Sequence, residues 1–219
     1  MWADTVAVGS PFEVREMGHE DGDLVLESHG LLRRAMGAGR VEDFDSFLDT
    51  LSPSTDPLII PHAVCGLREG TVVGVTVGAY MVRPNVGFVA YAAVEEEWRK
   101  LGLYTVLRSR LVFCFQVDAV VNREAKPSYV VSEMDRGSFL LRRFVDSGGA
   151  FVVPCEYEQP AVQGLGSRAM ELVVQPRAPD RAEAMAMVRE LFRGIYRIRD
   201  PESDPAFRRI ADSLRGTGR

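Results

Sequence analysis

Residues 94–104 read Val-Glu-Glu-Glu-Trp-Arg-Lys-Leu-Gly-Leu-Tyr, and they set a basic, glycine-containing turn between an apolar run and a helical pattern. The apolar run, 87–94, has the composition of a strand and ends in three glutamates. Arg99, Lys100, Leu101 and Gly102 follow, and helical spacing begins at Leu103. The first N–H groups of a helix lack internal acceptors, and the helix dipole places partial positive charge beside them. A strand that delivers a basic turn to such a helix start makes an anion site suited to a pyrophosphate.

The elements that must position this turn follow from periodicity. Alternation over 12–17 predicts a first strand. Helical spacing covers 23–36, where Leu24, Leu31 and Leu32 share a face, and 41–51, where Phe44, Phe47, Leu48 and Leu51 do. A Ser/Pro/Thr/Asp loop at 52–57 leads to three strand-like runs, 61–67, 72–82 and 85–94, joined by hairpin turns at Glu69-Gly70 and Arg83-Pro84-Asn85. The helix after the anion turn runs from Leu103 to about Asp118, with Leu103, Leu107, Leu111 and Cys114 on one stripe. Then come a strand at 129–134, a short helix at 138–145 and strands at 150–157 and 169–175. An amphipathic helix over 179–198 and a helical piece over 205–214 close the chain.

At 219 residues the chain suits one domain with an appendage. No apolar run is long enough to span a membrane, and the N-terminus lacks the basic-then-apolar pattern of a signal peptide. Cys65, Cys114 and Cys155 are odd in number and lie among apolar residues, so buried thiols in a reducing, cytoplasmic setting are expected. His19, His29 and His62 share no metal-ligand spacing with one another or with the cysteines, so no metal is expected. A net charge of -5 argues against general nucleic-acid binding and mildly favours a cationic acceptor.

Arg99-x-x-Gly102 after a strand ending in Val94, within this order of elements, resembles the acyl-CoA turn of the GNAT superfamily of N-acetyltransferases. Tyr104 departs from it, standing where the family prefers Gly or Ala. The resemblance covers roughly 12–175. It implies an α/β (α+β) fold with a mixed, mostly antiparallel sheet of about seven strands, splayed between strands 4 and 5 and flanked by helices. It divides the chain into an acyltransferase domain, 1–176, and a helical C-terminal extension, 177–219. The extension packs on its own domain, forms a homodimer contact or acts as a substrate lid.

The resemblance also implies a co-substrate, acetyl-CoA or another acyl-CoA. Its pantetheine would pair with Ala92, Ala93 and Val94, and its diphosphate would take N–H groups over Lys100, Leu101, Gly102, Leu103 and Tyr104, with Arg99 adding charge and Thr105 completing the binding turn. Tyr104 could pack outward, stack near the adenine or narrow the cradle. Acyl transfer then asks for a base on the ammonium and a donor to the leaving thiolate. Glu133 is the candidate base, against a solvated glutamate or an ion pair with Arg136. Tyr91, with Tyr80 beside it, is the candidate donor, against a core tyrosine. The family's usual helpers are replaced: Ala90-Tyr91 stands for a strand-four Glu, Asp135 for an Asn and Arg142 for a Tyr. His62, Cys65 and Cys155 read as structural.

A softer resemblance at 151–168, to GNAT-like proteins of unassigned substrate, implies that Glu156, Tyr157 and Glu158 border the acceptor pocket; the alternative is a polar hairpin. Three functions compete. The first is an N-acyltransferase using acyl-CoA and acting on a small-molecule or peptide amine. The second takes its acyl group from an acyl carrier protein. The third is a non-catalytic CoA-binding module.

Overall fold

The computed structural model describes residues 11–53, 56–123, 125–161 and 166–216. The alternating β1 (Glu13–Met17) and the largely apolar β2 (Ile59–Arg68), β3 (Thr71–Met81) and β4 (Val86–Val94) form an antiparallel meander. Glu69 and Gly70, both at positive φ, form the tight turn between β2 and β3. β5 (Tyr129–Met134) joins β4 in parallel, which requires a crossover, and α3 (Leu103–Arg123) supplies it. With β6 (Phe151–Val152) and β9 (Glu171–Gln175) the sheet has seven strands, in the order β1-β2-β3-β4-β5-β9-β6. β7 (Glu158–Gln159) and β8 (Arg168–Ala169) form a separate ribbon.

Side-chain alternation along β2 divides the core in two. Ala63, Cys65 and Leu67 face α1 (Gly22–Met36) and α2 (Phe44–Leu51), where Val25, Leu31, Leu32 and Phe47 are buried. Val64 faces the other way, under Leu103, Leu107, Leu111 and Phe115 of α3. α4 (Phe139–Asp146) lies on the α3 side through Leu141, against Met134 and Val173. α5 (Arg181–Glu190) and α6 (Pro205–Gly216) cover the α1 side of β4, β5 and β9, where Phe88, Tyr129, Val131, Leu172 and Val174 meet Val188, Phe192, Phe207 and Ile210. The C-terminal segment therefore packs on its own sheet and shares a core with it.

Several elements differ from the sequence expectation, and the strand expected over 169–175 splits into β8 and β9. α3 runs on to Arg123, because Ala119 still meets the core one turn beyond Phe115. The strand expected over 150–157 shrinks to Phe151–Val152, since Pro154 has no N–H for the ladder and the chain turns away there. The helix expected to reach 198 widens at Leu191 into a π-turn, Leu191–Ile195, and stops at Tyr196. Gly194 allows this approach: a Cβ there would lie 2.6 Å from Ile59 Cδ1.

α3 rests close on the sheet over another glycine. A Cβ on Gly87 would fall 2.1 Å from Phe115 Cδ2, and that ring is sealed in the core. Gly87→Ala is expected to destabilise the fold by about 1–3 kcal/mol through overpacking. A lowered urea midpoint at unchanged m-value would show it.

Candidate active site

β4 has nine residues, yet it pairs with β5 only from Val86, opposite Tyr129, to Val89, opposite Ser132. Beyond Val89 the two strands part, and among the described residues Ala90 to the end of β4 has no strand partner on that side. The register against β3 passes from Gly78↔Val89 to Val77↔Tyr91, so Ala90 is the extra residue of a bulge. A bulge reverses the alternation after it, which puts Phe88, Tyr91 and Ala93 on the same, α1 side of the sheet. α3 and α4 lie on one side of the sheet here, and a cavity lies on the other.

At the α3 side the turn after β4 takes left-handed backbone at Lys100 (φ 70°) and Gly102 (φ 85°). Among the described residues, no backbone acceptor meets the N–H groups of Lys100, Leu101, Gly102, Leu103 or Tyr104. Consecutive open donors at a helix start form an anion-binding concavity. Thr105 differs: its N–H closes onto the Gly102 carbonyl at 2.9 Å, which leaves only its hydroxyl for a ligand. Arg99 donates Nε to the Val94 carbonyl at 3.0 Å and so ties the turn to the strand end.

Tyr104 is half-buried. Its ring stands edge-on to Phe144 of α4 at 6.4 Å, in the seam between α3 and α4. Burial raises its pKa, and Arg108 opposes the rise by charge and hydrogen bonding. Arg108 lies over Phe144 at 5.1 Å and donates to Gln175, while its buried Nε has no partner among the described residues.

On the other face a cavity of about 280 Å³ lies against the bulge. Ile59, Pro61, Val77, Phe88 and Ile195 give it apolar walls, and Glu42, Tyr91, Glu133 and Tyr196 line it with polar groups. Glu133 accepts hydrogen bonds from the Tyr157 and Tyr196 hydroxyls. Enclosure raises its carboxyl pKa, and the two phenols pull it part of the way back by favouring the charged form. The Tyr91 hydroxyl donates to Glu42, and burial followed by the Glu42 charge pushes the phenol pKa upward.

No family model matches this sequence, and no curated protein does. Solved structures do match. A protein from Bacteroides thetaiotaomicron described as an acetyltransferase of the GNAT family superposes with a TM-score of 0.63 at 14% identity, over 85% of this chain and 99% of its own. Diaminobutyrate acetyltransferase EctA from Paenibacillus lautus, solved with L-2,4-diaminobutyric acid and coenzyme A, gives 0.52 at 17% identity, over 77% of this chain and 96% of its own. The chain has the GNAT fold.

Within the GNAT fold several sequence expectations change place. Glu133 is neither in a solvated turn nor paired with Arg136, whose Nε lies 3.5 Å from Glu171. Tyr80 is sealed in the core and donates to Asn85 at 2.8 Å, away from the cavity that Tyr91 lines. Asp135 is held between Arg40 and Arg168, and Arg142 donates to the Gly137 carbonyl. The trio at 156–158 is split: Tyr157 turns inward to Glu133, Glu158 pairs with Arg209 of α6, and Glu156 is exposed. Part of the glycine-containing loop that follows lies outside the described residues. Glu42 and Tyr196 were missed from sequence. Glu42 carried a weak signal, a charged residue between Val41 and the α2 cap; Tyr196 carried none, because its position depends on the π-turn.

Proposed function

We propose that this chain is an acyl-CoA-dependent N-acyltransferase that acetylates a small primary amine with an apolar body. The observation that carries the reading is the parting of β4 and β5 beyond Val89, with the open N–H cradle at 100–104 after β4 and the cavity holding Glu133 against the bulge. The small Ala92 and Ala93 leave the open edge of β4 accessible to a pantetheine chain, and the cradle suits its diphosphate. No helix among the described residues is long and apolar enough to cross a membrane.

Glu133 takes a proton from the incoming ammonium, and Tyr157 and Tyr196 hold its carboxylate toward the cavity. The freed lone pair attacks the thioester carbonyl carbon. The C–N bond forms, the C–S bond breaks, the electron pair leaves with the thiolate, and the proton lost from the attacking nitrogen passes to that thiolate. Open backbone N–H groups of β4 past the bulge face the charge that develops on the carbonyl oxygen. Tyr91 keeps Glu42 in place, and with Asp49 it adds negative charge that draws a cationic amine into the cavity beside Ile59, Val77 and Phe88.

Calorimetry with acetyl-CoA, followed by a thiol-release assay over small aliphatic and aromatic amines and peptides, tests the reading. Acetyl-CoA binding with turnover of small apolar amines is expected. Absence of acyl-CoA binding would overturn it, and turnover of carrier-protein thioesters alone would move the donor to an acyl carrier protein.

A further inference from the structure

A second group of chemistry-bearing side chains gathers where β1, β2 and α3 meet. Glu16 of β1, His62 of β2 and Cys114 of α3 place one ligand atom each within 4.8 Å of one another. Asp118, one helical turn past Cys114, sets Oδ2 2.5 Å from His62 Nε2. Arg110 Nη2 lies 3.6 Å from Glu16 Oε2, while Glu16 Oε1 faces the Cys114 thiol. A cavity of about 240 Å³, lined by Glu16 and His62 together with Glu20 and Asp21, opens beside them.

We propose that Glu16, His62 and Cys114 bind a divalent transition-metal ion of the zinc class. One imidazole, one thiolate and one carboxylate form a mixed set that suits a borderline ion and disfavours calcium or magnesium. Around a tetrahedral zinc, ligand bonds of about 2.0–2.3 Å put ligand atoms roughly 3.3–3.8 Å apart. Side-chain rotations that bring the farther atoms in from the 4.8 Å limit and move the Glu16 carboxylate back from the Cys114 sulfur reach that spacing. Asp118 is the carboxylate that orients a ligating histidine, and Arg110 holds the second oxygen of Glu16. Binding releases the thiol proton and leaves the fourth position open to the cavity. The ion would clamp the edge strand β1 to α3. No local pattern marks this group, because the fold brings together residues far apart in the chain.

Untagged full-length protein, stripped with a chelator, is titrated with cobalt(II). A sulfur-to-cobalt charge-transfer band that saturates at one equivalent and is displaced by zinc is expected. Cys114→Ser should remove the band, and Asp118→Asn should weaken affinity about 10–100-fold. Glu16→Gln alters a half-exposed side chain and guards against loss of fold; zinc should raise the Tm of the wild type and not of this variant. No band, a band that survives Cys114→Ser, or an equal Tm rise in Glu16→Gln would overturn the proposal.

Discussion

Replacing Glu133 by Gln is expected to lower kcat/KM by about 10²–10⁴-fold with acyl-CoA affinity unchanged. That loss corresponds to about 2.7–5.4 kcal/mol of transition-state stabilisation. Gln keeps the shape and can still accept from Tyr157 and Tyr196, but it cannot take the ammonium proton. The pH dependence separates this role from a structural one. Enclosure raises the Glu133 pKa, so activity should fall on the acid side as the base is protonated. Tyr196→Phe removes a donor that favours the charged form, and the acid limb should move to higher pH. Stability runs the other way. A carboxyl with a raised folded pKa contributes stability below its unfolded pKa, and that contribution is lost as pH rises through the folded value. Glu133→Gln should therefore not lower the Tm at neutral pH. A variant that lost activity only in proportion to a lower Tm would remove Glu133 from the chemistry.

The parts of this molecule that are local in sequence were legible. The strand ending at Val94, the basic turn and the start of α3 at Leu103 follow from composition, a glycine and helical spacing within a dozen residues. The order β2-β3-β4-β5 follows from two hairpin turns and one helical crossover, whereas the insertion of β9 between β5 and β6 does not. The cavity was less legible, because its polar pairs join distant residues. Tyr91 and Glu42 are 49 residues apart, and Glu133 and Tyr196 are 63 apart. The bulge at Ala90 decides which face Tyr91 takes, yet no residue type marks it. Pro154 could have been read as the end of a strand, since it lacks the ladder donor. The π-turn depends on packing of Gly194 against Ile59, a tertiary contact.

Gly102→Glu is expected to weaken acyl-CoA binding at least 100-fold while the fold survives. Gly102 has φ 85°, and a Cβ built there meets nothing within 4 Å. The space admits a side chain, so the structural cost is the left-handed backbone, about 1–2 kcal/mol. The carboxylate, in contrast, enters a ring of open N–H donors and competes there with a diphosphate. Charge-assisted hydrogen bonds contribute about 1.5–3 kcal/mol each, and losing two of them exceeds the roughly 2.7 kcal/mol that a 100-fold change in Kd requires. Gly102→Ala separates the causes: it carries the backbone strain without the charge and should lose affinity far less. If Ala and Glu weakened binding equally, backbone geometry alone would account for the effect. If neither did, the diphosphate would lie elsewhere than the turn at 100–104.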